Sequence, residues 1–232
     1  MAFRETHDII RDEQKLADFV DWLPDLQLNQ KYFLALFARK KYMTVIKSSD
    51  KTQLKRLTAN KEDIIRKIRQ LECPVGSFTT KDGTVIPDEG LVLYIMPNPR
   101  CMLKSSFLLI KEMLKCIEHN NEYINPHAEA ISCMQRSKGK SFVVHFDIDD
   151  GRAEQVYPIV KDIVGDAFDI LQTRGGCHLL VHPKKVTIKG NWHCEIVKRL
   201  AEFDIDQTGD LMMPIPGCVQ GGFVPSFYQE KK

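Results

Sequence analysis

Phe142-Val-Val-His-Phe-Asp-Ile-Asp-Asp150 is an apolar run that carries two carboxylates, Asp147 and Asp149, and is bounded by Gly139 and Gly151. Successive side chains of a strand point to opposite faces, so both acids leave one face while Phe146 and Ile148 leave the other. Two like charges at the end of a buried strand repel each other. They raise a pKa or recruit a hard cation such as Mg2+ or Mn2+. A strand running out into an acidic turn would show the same residues, because Asp is a common turn former.

Downstream of this run, periodicity predicts a helix over 152–164, strands over 168–173 and 177–182, a helix over 191–203 and a short strand over 211–215. With 142–149 as the first strand, the order is βαββαβ. It suits a four-stranded antiparallel sheet with both helices on one face and the other face free for chemistry. The first and third strands are central neighbours in the usual form of this motif, which sets Asp147 and Asp149 beside His178.

Upstream, apolar residues at three- and four-residue spacing predict helices over 13–23, 30–41 (through Phe33, Leu34, Leu36 and Phe37) and 51–72. Pro74, Gly76 and the turn Lys81-Asp-Gly83 break the pattern. A strand over 90–96, a helix over 102–119 and a polar connection over 120–140 follow. The expectation is a mainly helical region over 1–90 and a catalytic core over 91–232, together an α+β protein.

A chain of 232 residues that is 43% hydrophobic can bury one compact core. Its net charge of +2 is close to neutral, so nucleic-acid contact needs a local basic face. Arg39-Lys-Lys41, the 136–140 stretch and Lys184-Lys185 are the clusters available for it. Seven cysteines without a Cys-x-x-Cys pair, and no charged-then-apolar leader over 1–12, point to a reducing, cytoplasmic setting. No apolar stretch approaches the roughly 18 to 20 residues that span a bilayer. Cys116, His119, His127 and Cys133 are four zinc-type ligands, but their spacing matches no common finger and Cys116 falls on a helix. They are not assigned as a site.

Two further features carry chemistry. Thr173-Arg-Gly-Gly-Cys-His-Leu-Leu-Val181 combines a glycine pair, which lets phosphate approach backbone amides, with Arg174 and His178 as ligands for a nucleoside triphosphate. A tight Gly-Gly hairpin would look alike. Asp204, Asp206 and Asp210 follow the last helix, and an acid there completes a three-carboxylate cluster of the kind that holds two catalytic cations.

Asp147-Ile-Asp149, Arg174-Gly-Gly-Cys-His178 and a later Asp before Pro216-Gly217 resemble, in this order, the three motifs of the archaeo-eukaryotic primase superfamily. Leu93-Tyr-Ile-Met-Pro-Asn-Pro-Arg100 is similar to a first-strand segment of plasmid and mobile-element primase-polymerases. The resemblance spans about residues 91–223. It implies a palm with an RNA-recognition-motif-like fold and a Mg2+- or Mn2+-dependent nucleotidyltransferase that extends a nucleic-acid 3′ end. Asp147, Asp149 and Asp210 would be the catalytic, metal-binding acids, with Asp206 the alternative for the third. His178 and Arg174 would contact the nucleotide. The implied partners are nucleoside triphosphates, a DNA or RNA template and primer, and a replication partner such as a helicase, with no membrane. The arginine that often precedes the family's Pro-Gly is missing, since Met212, Met213 and Ile215 occupy that stretch. A non-catalytic nucleic-acid-binding relative, or a metal-dependent phosphodiesterase or nuclease, would share these residues.

Overall fold

Tyr32-Phe-Leu-Ala-Leu-Phe-Ala38 is buried at every position, and this decides its conformation. The run reads as helical by spacing, yet it forms a strand, β1 (Gln30–Arg39), in the computed structural model, which describes residues 5–43, 51–80, 83–120, 124–188 and 190–230. Tyr32, Leu34, Leu36 and Ala38 enter one apolar cluster, while Phe33, Ala35 and Phe37 enter another. A strand covered on both faces loses its polar alternation, and short apolar runs then mimic a helix. The helix predicted over 51–72 is likewise replaced by β2 (Lys51–Ala59), paired antiparallel with β1, and the short α2 (Ile64–Arg69). Cross-strand pairing overrides the helix-forming Lys, Gln, Leu and Arg of that segment.

The first sheet has the order β2-β1-β3-β9, where β3 is Leu91–Ile95 and β9 is Met213–Pro214. β4 (Arg100–Cys101) pairs off the other end of β1. α1 (Glu13–Trp22), capped by the Asp12 carboxylate on the Lys15 amide, lays Leu16, Phe19 and Val20 into this core. α3 (Met102–Glu118) forms as predicted. The segment read as a polar connection contains α4 (Pro126–Arg136), announced by an Asn125 cap that accepts from the His127 and Ala128 amides, with Pro126 in the first turn.

The second sheet follows the βαββαβ order. Its strands are β5 (Val144–Asp149), β6 (Phe168–Gln172), β7 (Gly176–Val181) and β8 (Asp204–Gly209), and its helices are α5 (Ala153–Val164) and α6 (Trp192–Arg199). The spatial order β10-β6-β7-β5-β8 makes the first and third strands of the motif neighbours, with β10 (Ser226–Phe227) added at the edge. The fourth strand is β8, not the predicted 211–215. That stretch shortens to β9, which joins the first sheet. The molecule is thus α+β with antiparallel sheets, and the region 1–90 is not mainly helical. Among the described residues no helix is long and apolar enough to cross a membrane. Of the predicted turn at 81–83, residues 81 and 82 lie outside the described residues, as do 121–123 of the connection.

One face of the second sheet packs Phe146, Ile148 and Leu179 against Val156 and Val160 of α5 and Ile196 of α6. Its other face, expected to be free, is partly covered: Val143, Leu171 and Leu180 share a core with Leu34, Leu93 and Ile95 of the first sheet. Polar clasps close this seam. Asn98 accepts from the Phe142 and Val143 amides and donates to the Val143 carbonyl and to Asp210. Trp22 Nε1 and His182 Nε2 both meet Asp169 Oδ2, at 2.9 and 2.6 Å.

Candidate functional site

Beyond the covered part of the seam, the sheets diverge into a cleft of about 390 Å³ lined by Arg39, Lys41, Tyr94, Asp147, Asp149, His178 and Asp210, among others. Strand register builds its floor. Asp147 stands directly opposite His178 of β7 on one side and Asp206 of β8 on the other, and Asp149 stands opposite Gly176 and Asp204. Alternation along β5 puts His145 on the same face, two residues before Asp147. Gly176 is required here, since a Cβ would lie 2.1 Å from the Ile148 carbonyl oxygen.

The acids are electrostatically loaded. Burial and the negative charge of Asp206 push the Asp147 carboxyl above its ordinary pKa, against the pull of Lys41 and Arg39. Asp149 is raised by burial and by Asp147. Arg39 and Lys41 come from the end of β1, so the first basic cluster of the sequence is brought to the acids. Arg39 Nη1 donates to the Tyr94 hydroxyl at 3.1 Å, and burial pushes that phenol up to about 12.

His145 and His178 form a buried pair whose proton order follows from its end point. A carbonyl can only accept, so His145 Nδ1–H donates to Leu211 O at 3.2 Å and leaves Nε2 as an acceptor. His178 Nδ1–H must then donate to that Nε2, at 2.7 Å, with Asp147 Oδ1 3.6 Å away. The remaining His178 nitrogen, Nε2, carries a lone pair. Burial holds both imidazoles neutral, with pKa values near about 3, helped at His145 by His178 and at His178 by Lys41. A neutral Nε2 of this tautomer accepts hydrogen bonds and has none to give an ionised phosphate.

Asp210 lies at the same cleft but is already engaged. Its two oxygens take the Arg100 guanidinium at 2.6 and 2.8 Å and Asn98 Nδ2 at 3.0 Å, and the Arg100 side chain is fully buried. The Asp that stands across from Asp147 is therefore Asp206. Arg174 lines a neighbouring hollow of about 400 Å³ beside the Gly175-Gly176 hairpin, together with Asp150, Arg152 and Glu154. Its guanidinium donates to the Gly221 carbonyl and stacks 4.6 Å above the Tyr42 ring. The structure thus gathers Asp147, Asp149 and His178, keeps Asp210 at the rim in an internal ion pair, and sets Arg174 beside the cleft. His145 was missed in the sequence, although its place on the acid face of β5 follows from the same alternation.

Among the described residues, no three His, Cys, Asp or Glu side chains stand close enough together to enclose an ion, and this includes Cys116, His119, His127 and Cys133. A larger hollow of about 1020 Å³ beside α1 is lined by Asp21, Asp25, Lys31 and Lys61. Lys61 is spent there on Asp25 and the Leu23 carbonyl, so the hollow has little chemistry to offer. No family model, curated protein or solved structure matches this chain.

Proposed function

We propose that this protein is a nucleotidyltransferase of the primase-polymerase class, dependent on Mg2+ or Mn2+ and acting on a DNA or RNA 3′ end. The observation that carries the reading is Asp147, set between His178 on one neighbouring strand and Asp206 on the other, with Arg39 and Lys41 facing it. The acids do not enclose an ion by themselves, so Asp147 and Asp149, with Asp206 across the strand pair in the third place that the motif order gave to Asp210, would hold the metal only together with phosphate oxygens of the nucleotide and water. Their hard oxygen donors and the raised pKa of Asp147 suit a divalent cation. When bound, such a cation supplies Lewis-acid polarisation of phosphate oxygens and charge neutralisation.

The chain's own groups do the positioning. Lys41 and Arg39 offer cationic donors to the triphosphate. Arg174, next door, spends Nη1 on the Gly221 carbonyl and keeps other guanidinium donors for a phosphate. His178 Nε2 accepts the hydrogen bond of the attacking 3′ hydroxyl and orients its oxygen toward the α-phosphorus. The new oxygen–phosphorus bond forms as the bond to the β-phosphate breaks, the hydroxyl proton passes by way of His178 Nε2 to solvent, and pyrophosphate leaves. The same acceptor nitrogen suits a water molecule, so phosphodiester hydrolysis is the second reading.

Primer extension with ribo- and deoxynucleotides in Mg2+ or Mn2+ tests this. Product is expected from the wild type, with a loss of at least about 100-fold in Asp147→Asn and Asp206→Asn. No product with either cation, or equal product from Asp147→Asn, overturns it. Loss of labelled strand without nucleotide consumption selects hydrolysis.

A further inference from the structure

α3 exposes a stripe of large apolar side chains: Leu103 at 54%, Phe107 at 65%, Ile110 at 56%, Leu114 at 55% and Ile117 at 72%. Their steps of four, three, four and three residues are the seam of a coiled coil, with Phe107 and Leu114 at a and Leu103, Ile110 and Ile117 at d. The opposite side of α3 rests on α4, so this stripe contributes nothing to the fold of one chain. Isolated exposed leucines are common, whereas five large apolar side chains in one continuous stripe mark an interaction surface.

We propose that the stripe is a self-association surface, closed by α3 of a second copy running antiparallel. Three observations favour this occupant. A stripe with this four-three-four-three spacing packs in register along another helix of the same spacing, and the chain itself supplies one. Lys104 and Glu118 occupy e positions at opposite ends of the stripe, and antiparallel packing brings e against e. Lys104 then meets Glu118 of the other copy twice about the two-fold axis, while Lys111 faces its own copy at the axis. A parallel pair would instead set Ser106 against Lys111 and Met113 against Glu118, with no opposite charges in register. Finally, five large apolar side chains, each more than half exposed, would be covered on each copy. α3 follows directly from β4, so antiparallel packing also sends the two bodies to opposite ends of the pair. Lys104 Nζ donates to the Lys138 carbonyl at 3.2 Å and keeps two further donors for a carboxylate.

Sedimentation of the full chain at up to about 100 µM tests the proposal. The expected particle has twice the monomer mass of 26.7 kDa. Phe107→Glu with Leu114→Glu should give a monomer with unchanged circular dichroism, because neither side chain is buried. Lys104→Glu should weaken association about tenfold, and Lys104→Glu with Glu118→Lys should restore it. A monomeric wild type overturns self-association, whether a different protein or none covers the stripe. A dimer that survives Phe107→Glu with Leu114→Glu overturns the surface, and failure of the charge swap to restore binding overturns the antiparallel orientation. None of these outcomes bears on the nucleotidyltransferase reading.

Discussion

Burial outweighs the preference of imidazole for a proton at His145 and His178. Both stay neutral in the folded protein down to about 3, but take up a proton near 6.5 once unfolded. Unfolding therefore binds protons between these values, and stability falls as pH is lowered through that window. The slope approaches about 1.4 kcal/mol per pH unit for each histidine and vanishes above the ordinary imidazole pKa. Asp147 and Asp149 act with the opposite sign, since raised carboxyls protonate first in the folded state and acid relieves their repulsion. Thermal midpoints measured against pH should show the acid decline. Asp147→Asn with Asp149→Asn should steepen it, and His145→Gln with His178→Gln should flatten it. Two neighbouring carboxylates should behave in contrasting ways. Asp210→Ala leaves the buried Arg100 without its counter-charge, which costs about 3–5 kcal/mol in chemical denaturation. Asp206→Ala removes an exposed carboxylate that repels Asp147 and should cost less than Asp210→Ala in the same denaturation.

Individual elements show what a one-dimensional pattern can carry. Asp147, Asp149 and His178 were legible as neighbours because strand alternation and the βαββαβ order are local facts, and together they fix the β5–β7 pair. β1 was not legible as a strand, because its second covering layer, Ile131 and Met134 of α4, comes from about a hundred residues away. β8 was hidden by polarity. Asp204, Asp206 and Gly209 lack the apolar content of a strand, yet β8 pairs with β5 across an irregularity between His145 and Asp147. Asp206 thereby comes to stand across from Asp147, while the stretch that looks most like a strand, 211–215, contributes β9 to the other sheet. The tight β5–β7 approach makes a further prediction. Gly176→Ala places a methyl against the Ile148 backbone and should cost at least about 2 kcal/mol, read as a shift in the denaturant midpoint.

For the molecule as a whole, both sheets wait on the same late stretch of chain. Met213–Pro214 borders β3, Ser226–Phe227 borders β6, and the Gly217 carbonyl accepts the Arg11 and Asp12 amides where α1 begins. Gly217 has a positive φ of 78°, and a Cβ there would sit 2.4 Å from the Asp12 carbonyl oxygen, so the chain passes α1 at backbone distance. A nascent polypeptide still short of these residues at the ribosome has two unfinished sheet margins and an undocked first helix. Its folding is thereby deferred until residues 213–227 have emerged, which leaves the roughly 200 residues before them open to chaperones until then.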